Sequence, residues 1–176
     1  MIITISGIAG SGKSTVAKLL AKKLNLKHYS VGDFMREIAR ERGITLLELS
    51  NIAEKDNTID KELDKKQIEL GKKEDNFVID SRLGFHFIPN SIKIFLDADI
   101  EEAAKRILKE KREHEQYKDI QESIEKIKTR IASEDKRYME YYSVDYHNKG
   151  NYEIVIDTTN ISPDEVADII VNKINR

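Results

Sequence analysis

Short apolar runs alternate with stretches whose apolar residues recur every three or four positions along the whole chain. Ile2-Ile3-Thr4-Ile5 is the first β-like run, and Val16, Ala17, Leu19, Leu20 and Leu24 give the helical stripe after it. Lys27–Ser30 reads as a second short strand. Phe34, Met35, Ile38 and Ala39 predict a helix over 32–42 that Gly43 closes, and Thr45-Leu46-Leu47-Glu48 is a capping box opening a further short helix through Ile52 and Ala53. From 54 to 75 almost every second residue is charged, with Ile59, Leu63 and Leu70 as sparse apolar points, which predicts an exposed, thinly packed helical subdomain rather than core. Phe77-Val78-Ile79-Asp80 and Ile92–Asp97 are continuous apolar runs of the kind buried on both faces of a parallel sheet. Asp99-Ile100-Glu101-Glu102 opens a helix on Ala103, Ala104, Ile107 and Leu108, whereas 109–119 is polar and periodless. A longer helix over 120–142 rests on Ile124, Ile127 and Ile131, and 152–156 is the fifth strand. Ser162-Pro163-Asp164-Glu165 starts the last helix, whose inner face is Val166, Ile169, Ile170 and Ile174. The alternation predicts an α/β fold: a five-stranded parallel sheet flanked by helices, with two inserted pieces.

Composition narrows the function. The chain has 176 residues, 39% of them hydrophobic, which suits one domain with a sizeable core. With 30 basic and 32 acidic residues the net charge is −2, so no global field points to nucleic acid or a membrane surface. The lack of cysteine excludes a disulfide framework and a thiolate zinc site. No apolar stretch approaches the ~20 residues that span a bilayer, and Met1 leads directly into the first strand with no leader. The expectation is a cytoplasmic monomer working on small molecules.

Gly7-Ile8-Ala9-Gly10-Ser11-Gly12-Lys13-Ser14, followed by Thr15, reads G-x-x-x-x-G-K-S between a strand and a helix. Glycines let backbone N–H groups wrap phosphate oxygens, and the helix start adds unpaired donors and its positive dipole end. Lys13 reaches β/γ-phosphates and the Ser14 hydroxyl suits Mg²⁺, so the loop points to a nucleoside triphosphate rather than a plain glycine turn. Arginines suggest a second phosphate site. Arg36 lies one turn into a helix after a strand end, and Arg82 follows strand three by two residues. Arg130 and Arg137 share a helix face with Glu134 between them, which reads either as a clamp or as a surface charge ladder. Asp80, ending its strand beside the loop, is suited to a Mg²⁺-bound water or, more plainly, to a turn. His28, His86, His114 and His147 lack ligand spacing. Tyr138, Tyr141, Tyr142 and Tyr146 are either core or a stacking surface for a base.

Ser30-Val31-Gly32-Asp33-Phe34-Met35-Arg36 resembles the S-T-G-D-x-x-R segment of nucleoside monophosphate kinases. Val78-Ile79-Asp80-Ser81-Arg82-Leu83-Gly84, Lys93–Ala98, Arg130-x-x-x-Glu134-x-x-Arg137 and the closing Ile156-Asp157-Thr158-Thr159 with Ser162-Pro163 resemble cytidylate kinases, most closely the small archaeal type. The resemblance covers almost the whole chain and implies ATP-dependent, Mg²⁺-assisted phosphorylation of CMP, and of dCMP, by direct in-line transfer. It implies that Lys13, Arg82, Arg130 and Arg137 are catalytic. Ser30, Asp33, Arg36, Arg82, Arg130, Glu134 and Arg137 would hold the acceptor, with Glu134 near its ribose. Residues 7–15 with Arg106 and Arg112 would hold ATP, and Ser14 and Asp80 the metal. The implied layout is a core of 1–30, 76–108 and 120–176, an acceptor insert at about 31–75 and a lid at about 109–119. The chain departs from bacterial relatives at Ala103, where they tend to carry arginine, and it lacks the G-F-P-R signature of adenylate kinases. A kinase for AMP, UMP or dephospho-coenzyme A is the nearest alternative. A regulatory switch would need a D-x-x-G, which is missing.

Overall fold

Residues 1–109 and 119–175 are described in a computed structural model of the chain. Strands β1 (Ile2–Gly7), β2 (Lys27–Ser30), β3 (Phe77–Asp80), β4 (Ile92–Asp97) and β5 (Ile154–Asp157) form one parallel sheet in the order β2-β3-β1-β4-β5. Every residue of β1 is buried, as a continuous apolar run in the middle of a covered sheet requires. β3 and β4 flank β1 in register, Ile5 opposite Asp80 on one side and Ile94 on the other. The chain thus changes direction across the sheet at β1, and the crevice at the carboxyl ends of the strands opens there.

Helices α1 (Lys13–Lys23) and α8 (Pro163–Ile174) cover one face, closing over Ile3, Ile5, Val78, Leu96 and Ile156. α6 (Ile100–Lys109) and α7 (Ile120–Tyr142) pack together through Ala104, Ile107, Ile124 and Ile127. The capping boxes at Thr45/Glu48 and Ser162/Glu165 both form, and the Asp99 carboxylate accepts N–H bonds from Glu101 and Glu102. Among the described residues no helix is long and apolar enough to cross a membrane.

Three features differ from the reading of the sequence. The charged stretch over 54–75 is no thinly packed appendage. α2 (Val31–Glu41), α3 (Leu46–Lys55) and α4 (Thr58–Lys73) enclose a core of Ile38, Ala39, Leu49, Ala53, Ile59 and Leu63, with Ile59 completely buried. One apolar residue per turn suffices for α4 because α2 and α3 cover its inner stripe, while the charges occupy the outer faces. The last strand starts at Ile154, and Tyr152 lies in the turn before it, buried, its hydroxyl donating to the Tyr146 carbonyl at 2.7 Å. A single turn of helix, α5 (Gly84–Phe87), follows β3, too short to leave a periodic trace. The expected lid falls almost wholly on 110–118, outside the described residues.

Ile59→Ala should destabilise the protein by about 2–5 kcal/mol in urea denaturation, the range for truncating a buried aliphatic chain. A loss under about 0.5 kcal/mol, typical of a surface position, would restore the picture of a solvated helix.

Candidate active site

The loop between β1 and α1 is pressed against the sheet. Gly7 has φ +143°, and a Cβ there would stand 2.1 Å from the Leu96 carbonyl oxygen; at Gly10, φ +79°, it would stand 2.5 Å from that of Ala103. Both positions therefore require glycine. Ala103 is fully buried beneath the loop, packed against Gly10. Lys13 opens α1, and its Nζ donates to the Ile8 carbonyl at 2.6 Å. Burial first, and then the Arg82 guanidinium, push its ammonium well below the usual lysine range. A buried cation held by a neutral carbonyl is primed for an anion.

Across the crevice, Arg82 Nε and Arg130 Nε donate to the two oxygens of Glu134 at 2.8 and 3.0 Å. Glu134 is 5% exposed and also accepts from the Tyr146 hydroxyl at 3.3 Å. Its burial alone would raise its pKa, but the two arginines outweigh burial and hold it at about 2. Burial likewise opposes the charge on Arg82, and Glu134 more than restores it. The surface-ladder reading of 130–137 is thereby excluded, because its carboxylate lies in the interior. Arg137 points elsewhere: its terminal nitrogen pairs with Asp60 of α4 at 2.8 Å, while its Nε is buried with no hydrogen-bond partner among the described residues.

Sequence reasoning missed the partners on α4. Asp60, Asp64 and Gln67 follow i, i+4, i+7 spacing and line the same cavity wall. Tyr142 donates to Asp64, and Gln67 takes the Ser81 hydroxyl. Burial raises the Asp60 carboxyl against the pull of Arg137, and raises Asp64 to about 6 despite the Tyr142 bond. The available signal was polar residues recurring at helical spacing beside Ile59 and Leu63.

A cavity of about 1450 Å³ joins these groups, running from residues 9–15 and Arg106 past Ser14 and Asp80 to Ser30, Arg36, Arg82, Arg130, Glu134 and Arg137. Gly7 and Ile8 shape the loop from behind without lining it, and Asp33 sits in an adjoining groove, paired with Arg36 on the open rim. Arg106 donates to the carbonyls of Thr158 and Thr159 at 2.7 and 3.1 Å, tying α6 to the turn before α8. Arg112 lies outside the described residues. The tyrosines divide: Tyr138 and Tyr142 line the cavity, Tyr146 is core and Tyr141 is exposed. Among the described residues no three carboxylates or imidazoles gather as a metal cluster. One Asp80 oxygen, however, is buried without a hydrogen bond among the described residues, 3.4 Å from a His28 nitrogen that likewise makes none there. An unsatisfied carboxylate oxygen lining the same cavity as Ser14 fits Mg²⁺, which takes few protein ligands and completes its shell with waters and phosphate oxygens.

The parallel sheet order and the glycine-rich loop define a P-loop kinase fold. Shikimate kinase from Acinetobacter baumannii, in complex with shikimate, has that fold with TM-score 0.65 at 17% identity, over 99% of this chain and 92% of the other. The chain belongs to the cytidylate kinase-like family, whose sequence pattern matches residues 2–160. It is 36% identical to the cytidylate kinase of Methanobrevibacter smithii over 97% of this chain and 96% of that one. With the cytidylate kinase of Sulfurisphaera tokodaii it shares 40% identity, over 99% and 96%.

Because Glu134 titrates near 2 in the fold and at 4.5 ordinarily, its pairs stabilise fully above about pH 5, and that contribution is lost as pH falls toward 2. Glu134→Gln should therefore cost about 3–5 kcal/mol at pH 7, with the gap to the native protein closing as denaturation is repeated at lower pH. A gap independent of pH would contradict an ionised Glu134.

Proposed function

We propose that the protein transfers the γ-phosphoryl group of Mg²⁺-ATP to CMP, and to dCMP, giving the diphosphate. The convergence of Arg82, Arg130 and Arg137 on the cavity that begins at the phosphate loop carries this reading, together with membership of the family. A switch NTPase needs one phosphate site, whereas this cavity has a second cationic wall.

In the proposed reaction residues 9–15 and Arg106 hold ATP, joined by Arg112 of the lid at about 109–119. Lys13 exchanges the Ile8 carbonyl for the β/γ-phosphate oxygens. Ser14 and Asp80 would hold Mg²⁺, which would supply charge neutralisation on those oxygens. The insert at about 31–75 takes the acceptor, with Ser30, Asp33 and Arg36 at its mouth and Glu134 toward the ribose. Arg82 and Arg130, aligned by Glu134, and Arg137, released from Asp60, grip the acceptor phosphate and the equatorial oxygens that gain charge in the transition state. The nucleophile is already a phosphate oxygen, so no side-chain base is needed. Closure around both nucleotides excludes water and makes the site a kinase rather than an ATPase. Small nucleotides are the partners, and a cytoplasmic monomer suffices for the chemistry.

The test couples ADP release to a panel of CMP, dCMP, UMP, AMP and GMP with Mg²⁺-ATP. Turnover concentrated on CMP and dCMP is expected, and ADP release independent of any acceptor would overturn the reading. Arg137→Ala should slow transfer by about 1000-fold or more, as loss of a transition-state arginine does; a change within about threefold would remove Arg137 from the chemistry.

A further inference from the structure

We propose that Asp64 reads the amino edge of the acceptor base and makes the site prefer a 4-aminopyrimidine over a 4-oxopyrimidine. The inference rests on the reading of this cavity as the acceptor site. On the cavity face of α4, Asp60 is taken by Arg137, and Gln67 is 3% exposed with both ends of its amide engaged, by Ser81 and by the Leu63 carbonyl. Asp64 lies between them. One of its oxygens accepts the Tyr142 hydroxyl, and its other oxygen makes no hydrogen bond among the described residues. Asp60 also keeps one oxygen without a hydrogen bond among the described residues, but its other oxygen is committed to a cation; Asp64, held by a neutral hydroxyl alone, is the carboxyl on this wall left without a charged partner for a ligand to supply or replace.

Its position suits a base. Asp64 is one helical turn, about 6 Å, beyond the Asp60 carboxylate that holds Arg137. A monophosphate whose phosphate replaces Asp60 at Arg137 would extend its nucleoside along α4 toward Asp64. The wall there is apolar and aromatic, with Leu63, Phe87 and Tyr142 lining the same cavity. Flat rings pack well in such surroundings, and an ionisable group left in them needs a partner.

The chemistry of the group sets what it recognises. A carboxylate only accepts, and a protonated carboxyl accepts on one oxygen and donates from the other. Cytosine offers the 4-amino donor next to the N3 acceptor, which matches either form. Uracil offers the O4 acceptor next to the N3 donor; O4 against the ionised carboxylate leaves two acceptors facing each other, whereas a neutral carboxyl would donate to O4 and accept from N3–H, so the ionised form is the one that discriminates. The Tyr142 hydroxyl, donating to one Asp64 oxygen, favours the ionised form against the burial that raises its pKa to about 6, so the discriminating form prevails at and above neutrality. Adenine also carries an amino group, so the inference concerns amino against oxo pyrimidines and leaves purines to cavity shape.

The test compares kcat/KM for CMP and UMP in the native protein and in Asp64→Asn, whose amide can donate to O4. The CMP-over-UMP ratio should fall by about 30-fold or more, since a buried polar group without its complement rejects a ligand strongly. The monophosphate of the pyrimidinone nucleoside lacking the 4-amino group supplies a second readout: its penalty relative to CMP should vanish in the variant. A merely structural role would lower CMP and UMP turnover together and leave the ratio unchanged, and that result overturns the inference. If Asp64→Asn does not fold, Asp64→Ser is read by the same ratio. A native protein that phosphorylates neither pyrimidine would instead overturn the proposed function, so the two failures are distinct.

Discussion

The buried carboxylate of Glu134, shared by Arg82 and Arg130, is the interaction on which the rest of the site depends. Lys13 is buried in the crevice, Arg82 nearly so, and Arg130 lies at its solvent edge, and without a central anion the repulsion among these cations would oppose the packing of the walls. Glu134 draws α7 against the end of β3, and its contact with Tyr146 joins that pair to the core of Phe95 and Tyr152. Glu134 does not satisfy every cation of the site. Lys13 is left with a backbone carbonyl and Arg137 with an Nε unpartnered among the described residues, so the fold is complementary to phosphate oxygens it must import. That mismatch is the physical content of the proposed clamp.

A second set of contacts couples the α2–α4 unit to α7. Arg137 with Asp60, and Tyr142 with Asp64, bridge the cavity between them. On the proposed reading, an arriving phosphate competes with Asp60 for Arg137, and an arriving base shares Asp64 with Tyr142. Acceptor binding then exchanges internal contacts for ligand contacts, and the position of the unit follows the occupancy of the cleft. Asp60 and Asp64 are both raised by burial, so these contacts are poorly satisfied in isolation and suited to exchange.

Local signals were strong enough to expose the framework. β1, the loop and α1 follow one another in a pattern that only a phosphate-binding turn explains, and the apolar runs of β3 and β4 mark the buried sheet. Spacing alone aligned Arg130 with Glu134. It could not show that Glu134 is interior, because its partner Arg82 is 52 positions away. The partner of Arg137 was hidden for the same reason, 77 positions distant in a run whose charge density suggested a solvated surface. Periodicity reports which residues share a face, and only packing against α2 and α3 decides whether that face is core. Asp60 and Asp64 were illegible as site residues because they look like their solvated neighbours until α7 is placed opposite them.

The central claim concerns where the phosphates go, and a crystal structure with a bisubstrate analogue, adenosine and cytidine joined through a pentaphosphate, tests it most directly. The account predicts phosphate oxygens running from the loop past Lys13 to Arg82 and Arg130, with Arg137 released from Asp60 and bound to the chain between them. An analogue bound with Arg137 still on Asp60 and no phosphate within hydrogen-bond distance of Arg82 or Arg130 would contradict it.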